Sequence, residues 1–323
     1  MHIFEYLTEY NLISINQHGF RAGFSTTTNL LDYYSKIYNF FDKNIPVDGI
    51  FFHFIKAFDQ VHHNLLMHKL KKLGIVGPIS NWILNWLSNR SQRVVVQGYS
   101  SDSVQVTSGT IQGSVLGPLL FLMYVDDFGY DAKSFNNKYA DDTKFQNGIY
   151  SIASPIQLQE DLNILYKWCS DWQLNIHPEK SKILHFGRSN PLNTYFWGSN
   201  KFSTSNSVSD LGVLIDVDLT FDKHIAEVIR KATMVSILIS RTISSRSPEV
   251  YLKLFFSLVR PLLEYAIELW WPFLHKHMIS VERVQRRFTK RINGLADLSY
   301  SERLRTLNIP SLWWRFRRGA LNS

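Results

Sequence analysis

The chain of 323 residues has a single cysteine, Cys169, which excludes a disulfide framework and a cysteine-based zinc module and suits a reducing compartment. It also lacks a long unbroken apolar run. The cleanest stretch, 115–125, is far too short to cross a bilayer. The longer region 254–274 carries Arg260, Glu264 and Glu268, so a buried amphipathic helix is expected there rather than a membrane span. The opening MHIFEYLTEY is acidic, with no basic segment ahead of an apolar one, so no secretory leader is expected. Proline and glycine, 10 and 16 residues, are spread thinly, and no repeat or low-complexity tract marks a long linker.

Acidic residues are short in one region only. Residues 221–323 hold 18 Lys and Arg against 8 Asp and Glu, whereas the rest of the chain holds 17 against 19. The net charge of +8 therefore arises wholly in the C-terminal third. Such an excess can meet phosphate backbones or simply solvate a basic helical bundle, and charge alone leaves both readings open. With 45% hydrophobic residues, the chain can bury the cores of two or three subdomains.

Residues 1–45 read as helical with a polar loop at 17–28. The apolar run 47–54, bounded by Pro46, reads as a buried strand. Helical spacing covers 64–74, stopped by Gly74, and 79–87, which follows Pro78. Alternation in 93–97 and 103–108 around 98–102 predicts a hairpin. An apolar helix is expected over 114–124, an amphipathic one over 156–173 and a short strand over 183–186. From Phe221 onward helical spacing dominates. The fold class is α+β with a helical appendage.

Tyr139-Ala140-Asp141-Asp142 is the sharpest chemical feature. Adjacent carboxylates on a tight strand–turn–strand can hold one or two Mg²⁺, a hard cation that wants oxygen ligands. Alone, such a pair is equally a solvated turn. Its context is Ser108-Gly109-Thr110-Ile111-Gln112-Gly113-Ser114-Val115-Leu116-Gly117-Pro118-Leu119 and, earlier, Phe52-His53-Phe54-Ile55-Lys56-Ala57-Phe58-Asp59. Gln17-His18-Gly19-Phe20-Arg21, the block from Trp168 to Lys180, Leu211-Gly212-Val213 and Val259-Arg260-Pro261-Leu262-Leu263-Glu264-Tyr265 extend the pattern. These ordered blocks resemble the reverse transcriptases of LINE-type, jockey-like non-LTR retrotransposons over nearly the whole chain.

The resemblance implies a right-hand polymerase: partial fingers at 1–45, palm at 46–215 and a basic helical thumb at 216–323. It implies RNA-directed DNA synthesis with two Mg²⁺, Mn²⁺ being a possible substitute. The implied partners are an RNA template, a DNA primer and deoxynucleoside triphosphates, in cytoplasm and nucleus and away from membranes. Asp141 is implied as a metal ligand, with Asp142 beside it. Phe58 would exclude a ribose 2′-hydroxyl, Gln112 and Gly113 would lie against nucleotide and template, Lys180 would protonate pyrophosphate, and Arg21 would contact template or triphosphate. From the residues alone, Phe58 reads equally as core, and Lys180 and Arg21 as solvated charges.

The departures matter as much. His53 stands where the family carries its first catalytic aspartate, Ile111 where it has Pro, and His177 where it has Asn. Imidazole is a poor exchange for a carboxylate on Mg²⁺. The absence of an earlier fingers region and an endonuclease, with the end soon after Trp313-Trp314-Arg315, adds to the expectation of a truncated, degenerate copy. Its alternative function is that of a catalytically inactive nucleic-acid-binding remnant. Tyr124-Val125-Asp126-Asp127 also fits an aromatic-x-Asp-Asp pattern, but it ends an apolar helix. Asp126 and Asp127 are therefore expected in solvent at a helix C-terminus.

Overall fold

Val47–Phe52 (β1) carries Val, Ile and two Phe, and all six of its residues are buried, which is why the segment reads as an almost continuous apolar run. The computed structural model describes residues 2–272 and 274–322, in two compact units, 1–208 and 209–323. In the first unit, β1 lies at the centre of a five-stranded sheet with Phe135–Tyr139 (β2), Asp142–Gly148 (β3), Lys182–Phe186 (β4) and Ser203–Thr204 (β5). The order is β5-β4-β1-β3-β2, antiparallel except between β4 and β5.

Helix Thr26–Phe41 starts at a Ser25–Thr28 capping box and lays Tyr33 against Phe51 and Phe135. The apolar helix Leu116–Val125 and the amphipathic helix Ala153–Trp172 supply the rest of the cover. Phe52 sits among Phe128, Phe145, Trp197 and Phe202, with ring centroids 5.6–6.1 Å apart. Each such side chain contributes roughly 1.5–3 kcal/mol by burial. Asp48 is the exception within β1. Burial pushes its carboxyl up, but hydrogen bonds shared with His185 Nδ1 (2.6 Å) and received from Tyr195 Oη (2.6 Å) and Asn190 Nδ2 (2.8 Å) outweigh this and lower it.

Two expectations need correcting. The hairpin turns at Gln97 (φ 49°) and Gly98 (φ 86°), not over 98–102, because two left-handed residues in succession match the twist of a tight hairpin. The polar residues Ser101 to Ser103 lie instead opposite Arg93 and Val94, between the ladder pairs Val95↔Ser100 and Gln92↔Val104. Three residues facing two make a bulge. Asp126, expected in solvent, is 5% exposed. It does cap the C-terminus of Leu116–Val125, but it accepts from Ser14 N (2.9 Å) and from Tyr130 Oη, and its carbonyl accepts from Lys138 Nζ. Asp127 is partly exposed and pairs with buried Lys69, whose ammonium burial lowers to about 8 against the pull of that carboxylate. The cations and donors around this corner offset the unfavourable helix-end dipole.

The second unit is helical apart from a short ribbon at its start. Its elements include Asp222–Thr242, Pro248–Leu254, Arg260–Glu264, His275–Thr289, Tyr300–Leu307 and Leu312–Asn322. Phe255–Val259 is a π-helical turn just before Pro261, a residue that cannot donate to the carbonyl four positions back. Glu282 accepts from Tyr300 Oη and from the N–H groups of Leu312 (3.3 Å) and Trp313 (3.0 Å), joining three helices. Helix His275–Thr289 buries Val281, Val284 and Phe288. Lys276, Arg283, Arg287 and the cap residue Lys290 are exposed and share one face, at spacings of seven, four and three.

His224 makes this unit acid-sensitive. It is 5% exposed, and its Nδ1 accepts from Leu214 N at 3.2 Å, which requires a neutral ring. Burial lowers its pKa from the ordinary 6.5 to about 4. Between those values the unfolded chain binds a proton that the folded chain refuses, so stability falls as pH drops through this window, by roughly 3 kcal/mol at its acid end. Tm recorded from pH 7 to pH 4 should fall more steeply for the wild type than for His224→Gln. Parallel profiles would remove His224 as the cause.

Candidate functional site

The Asp141–Asp142 turn is the closed end of the β2–β3 hairpin, where Tyr139 pairs with Asp142 and Ala140 takes φ 56°. Segment 16–19 runs beside it. Lys138 N donates to Asn16 O (2.8 Å) and His18 N to Lys138 O (2.8 Å). Gln17 is fully buried, and its Oε1 accepts from Ala140 N (2.9 Å) and Gly19 N (2.8 Å). A Cβ added to Gly19 would lie 2.4 Å from Ala140 N. Gln17 and Gly19 are thus positioning residues for the carboxylate turn, a role the sequence alone did not reveal. The Gln-x-Gly spacing signalled a block, but not what it touches.

His53 follows directly on β1. The pair Phe52↔Thr143 sets it opposite Asp142, and the bridge Phe54↔Ile176 sets it opposite His177. Opposed residues on antiparallel strands face the same side. Burial agrees: Phe52, Phe54, Thr143 and Ile176 are buried, whereas His53 and Asp142 are exposed and His177 is half-buried. The backbone fastens the row, because His177 N donates to His53 O (2.8 Å). His53 N donates to Ser181 Oγ (3.0 Å), which in turn donates to His177 O (3.0 Å). Two of the departures, His53 and His177, are therefore neighbours across one rung.

Asp142, His53 and His177 form this row at the sheet end, with Asp141 on the turn beside it. Among the described residues, however, no three His, Cys, Asp or Glu side chains gather so as to hold an ion. Mg²⁺ needs near-octahedral oxygen donors, and the middle of the row offers imidazole. The donor set of this chain does not fit a pair of Mg²⁺ ions.

Phe58, Gln112 and Gly113 do come together. Phe58, in the short turn Ala57–Asp59, is half-buried and stacked on Phe121 at 4.2 Å, so it is part core and part wall. The glycine-rich loop docks on that turn: Gly109 N donates to Val61 O (2.8 Å), Thr110 N to Phe58 O (2.9 Å) and Gln112 Nε2 to Asp59 Oδ1 (2.9 Å). Gly113 has φ 79° with open space where a Cβ would point, room for a ligand to approach its backbone.

Arg21 is placed differently from the expectation. Its guanidinium donates to Ser14 O (2.6 Å) and Gln17 O (3.0 Å) and lies over the Phe24 ring, so it braces the loop that holds the turn. Lys180 is exposed, one turn on from His177, whose carbonyl accepts its N–H at 3.1 Å. Asp126 and Asp127 have their own partners, described above, and take no part in this row.

The family model for reverse transcriptase (RNA-dependent DNA polymerase) matches residues 2–215. The chain is 27% identical over 319 residues to a probable RNA-directed DNA polymerase from transposon X-element of Drosophila melanogaster, covering 90% of this chain and 34% of that protein. It is 26% identical over 280 residues to the RNA-directed DNA polymerase from mobile element jockey of the same organism, covering 82% and 30%. The chain thus spans about a third of the length of these curated relatives. A telomerase structure from Candida albicans superposes with a TM-score of 0.52 over 95% of this chain and 58% of that one, at 11% identity, a likeness of fold alone. No helix among the described residues is long and apolar enough to cross a membrane. Ordered motifs, sheet topology and relatives agree, and the chain belongs to the reverse transcriptase family, among the jockey-like enzymes of non-LTR retrotransposons.

Proposed function

We propose that this chain is the template–primer-binding and polymerase domain of such an element, built to extend a DNA 3′-OH on an RNA template with deoxynucleoside triphosphates. The observation that carries the reading is the assembly of separate motifs: the Asp141–Asp142 turn beside the strand end at 53, in a unit that also stacks Phe58 under the Gln112–Gly113 loop. We assign residues 1–45 to partial fingers, 46–215 to palm and 216–323 to thumb. Reverse transcriptases in general depend on a divalent metal, and Mg²⁺ is the ion that a carboxylate at position 53 would favour beside Asp141 and Asp142. With His53 in place, DNA synthesis by the unmodified chain is held to a trace, Mn²⁺ being the ion that tolerates nitrogen better. Lys180 remains the candidate proton donor to pyrophosphate, and Arg21 acts through the loop it braces. Primer extension on an RNA template by the purified chain, beside His53→Asp, tests this reading.

One observation favours the second reading, a binding remnant: the imidazole in the row spares the basic helical unit. Neutralising phosphates releases counterions, so affinity for an RNA–DNA duplex should fall steeply with salt. Charge reversal at Arg283 and Arg287, on the exposed face of His275–Thr289, should flatten the slope by about one for each phosphate no longer neutralised. Binding that is flat with salt, or indifferent to both reversals, would remove that face as the duplex site.

A further inference from the structure

At the root of the two-stranded arm 91–105 lies a cavity of about 710 Å³, walled by the turn at Lys56–Asp59, the end of helix Pro78–Leu87 with Arg90, and the loop 106–112. Its lining is amide and hydroxyl for the most part, with two cations, Lys56 and Arg90. The carboxylate on its wall, Asp59, already accepts from Gln112 Nε2 at 2.9 Å. Lys56 is held with φ 43°, a left-handed conformation that costs a lysine free energy and recurs where structure serves a ligand.

The decisive group is Thr110. It lines the cavity and is 6% exposed, yet its Oγ1 has no partner. Its backbone is fully committed, the N–H donating to Phe58 O at 2.9 Å, so the side chain stays where it is. A buried hydroxyl without a partner is unfavourable until something that enters the cavity meets it. Beyond the cavity the arm exposes Val94, Val95, Val96 and, at its tip, Tyr99, which is 84% exposed. An exposed aromatic ring beyond a basic, polar trough is an arrangement suited to unpaired bases and their backbone.

We infer that this cavity and arm bind single-stranded RNA, the part of the template not yet copied, with phosphates at Lys56 and Arg90 and a ribose 2′-hydroxyl on Thr110 Oγ1. The inference rests on the polymerase reading for the name of the strand but on the cavity for its chemistry. A DNA strand lacks the 2′-hydroxyl and leaves Thr110 unmatched, so RNA is preferred. A free triphosphate concentrates its charge at one point, whereas Lys56 and Arg90 come from different walls and the arm continues the track.

Fluorescence anisotropy decides it, with the full chain and three probes: a blunt RNA–DNA duplex, the duplex with a short single-stranded RNA 5′ overhang, and the same overhang as DNA. An overhang should raise affinity, and RNA should exceed DNA by about fivefold, the equivalent of one hydrogen bond of about 1 kcal/mol. Thr110→Val, which keeps shape and removes the hydroxyl, should erase the RNA–DNA difference and leave blunt-duplex binding unchanged. Arg90→Ala should weaken both overhangs alike. Equal affinity for blunt and overhung duplexes, or an RNA preference that survives Thr110→Val, overturns the inference while leaving the polymerase reading intact. So does competition by a deoxynucleoside triphosphate that depends on Thr110. If no duplex binds at all, the polymerase reading fails, and the single-stranded RNA oligonucleotide alone, with and without Thr110→Val, still decides the cavity.

Discussion

His53→Asp should raise Mg²⁺-dependent primer extension from a trace by on the order of a hundredfold or more, since charge stabilisation worth several kcal/mol corresponds to at least two decades in rate. The expectation rests on register. Position 53 lies opposite Asp142 on one side and His177 on the other, on the accessible face of the sheet end. A carboxylate there would stand beside two others instead of between a carboxylate and an imidazole. It also needs no backbone change, because the His53 N–H and C=O are held by Ser181 Oγ and His177 N whatever the side chain. Asp141→Ala in the His53→Asp background should return extension to background. The unmodified chain should give a trace with Mn²⁺ at most. Robust Mg²⁺-dependent extension by the unmodified chain would mean that position 53 is not the missing ligand. No gain from His53→Asp, with duplex binding preserved, would place the limiting lesion elsewhere and favour the binding remnant. Adding His177→Asn then tests the neighbour: a gain beyond the sum of the two single changes would show that the pair is coupled across its rung.

What could be read from the chain divides along physical lines. β1 was legible because a strand buried on both faces leaves a near-continuous apolar run, and Leu116–Val125 because ten apolar residues in succession suit a buried helix. The Asp141–Asp142 turn was legible because adjacent carboxylates between strands are a local pattern. Asp48 was not, since its donors lie 137 to 147 residues away and nothing local says that an acid in a strand is fully satisfied. Asp126 failed for the same reason: the helix-end rule was sound, but Ser14 and Lys138 reach it from other parts of the chain. His53 and His177 were each visible as departures. Their adjacency was not, because it depends on pairing β1 with a segment more than a hundred residues on. Gln17 and Gly19 belong to this class too, and they matter most for the site.

Gly19→Ala, in the His53→Asp chain, should lower extension by on the order of a hundredfold, the scale on which a displacement of about 1 Å at a reacting group acts. The added Cβ would sit 2.4 Å from Ala140 N, and that atom is backbone in the carboxylate turn, so it cannot swing aside as a side chain would. Either the turn moves or segment 16–19 does. Moving the segment would break the bonds from Ala140 N and Gly19 N to Gln17 Oε1, so both routes shift Asp141. The stability cost should stay near 1–3 kcal/mol, as for other overpacked sites, and the protein should remain folded. Gly23→Ala is the control. Gly23 has φ 81° and nothing near its Cβ position, so it should cost about 1 kcal/mol through backbone conformation and leave extension unchanged. Urea midpoints and extension rates measured on both variants separate strain from displacement. A Gly19→Ala enzyme as active as its parent, at whatever stability, would show that the turn does not depend on this contact. Gln17→Leu, which keeps the bulk and removes the acceptor, should then be equally silent.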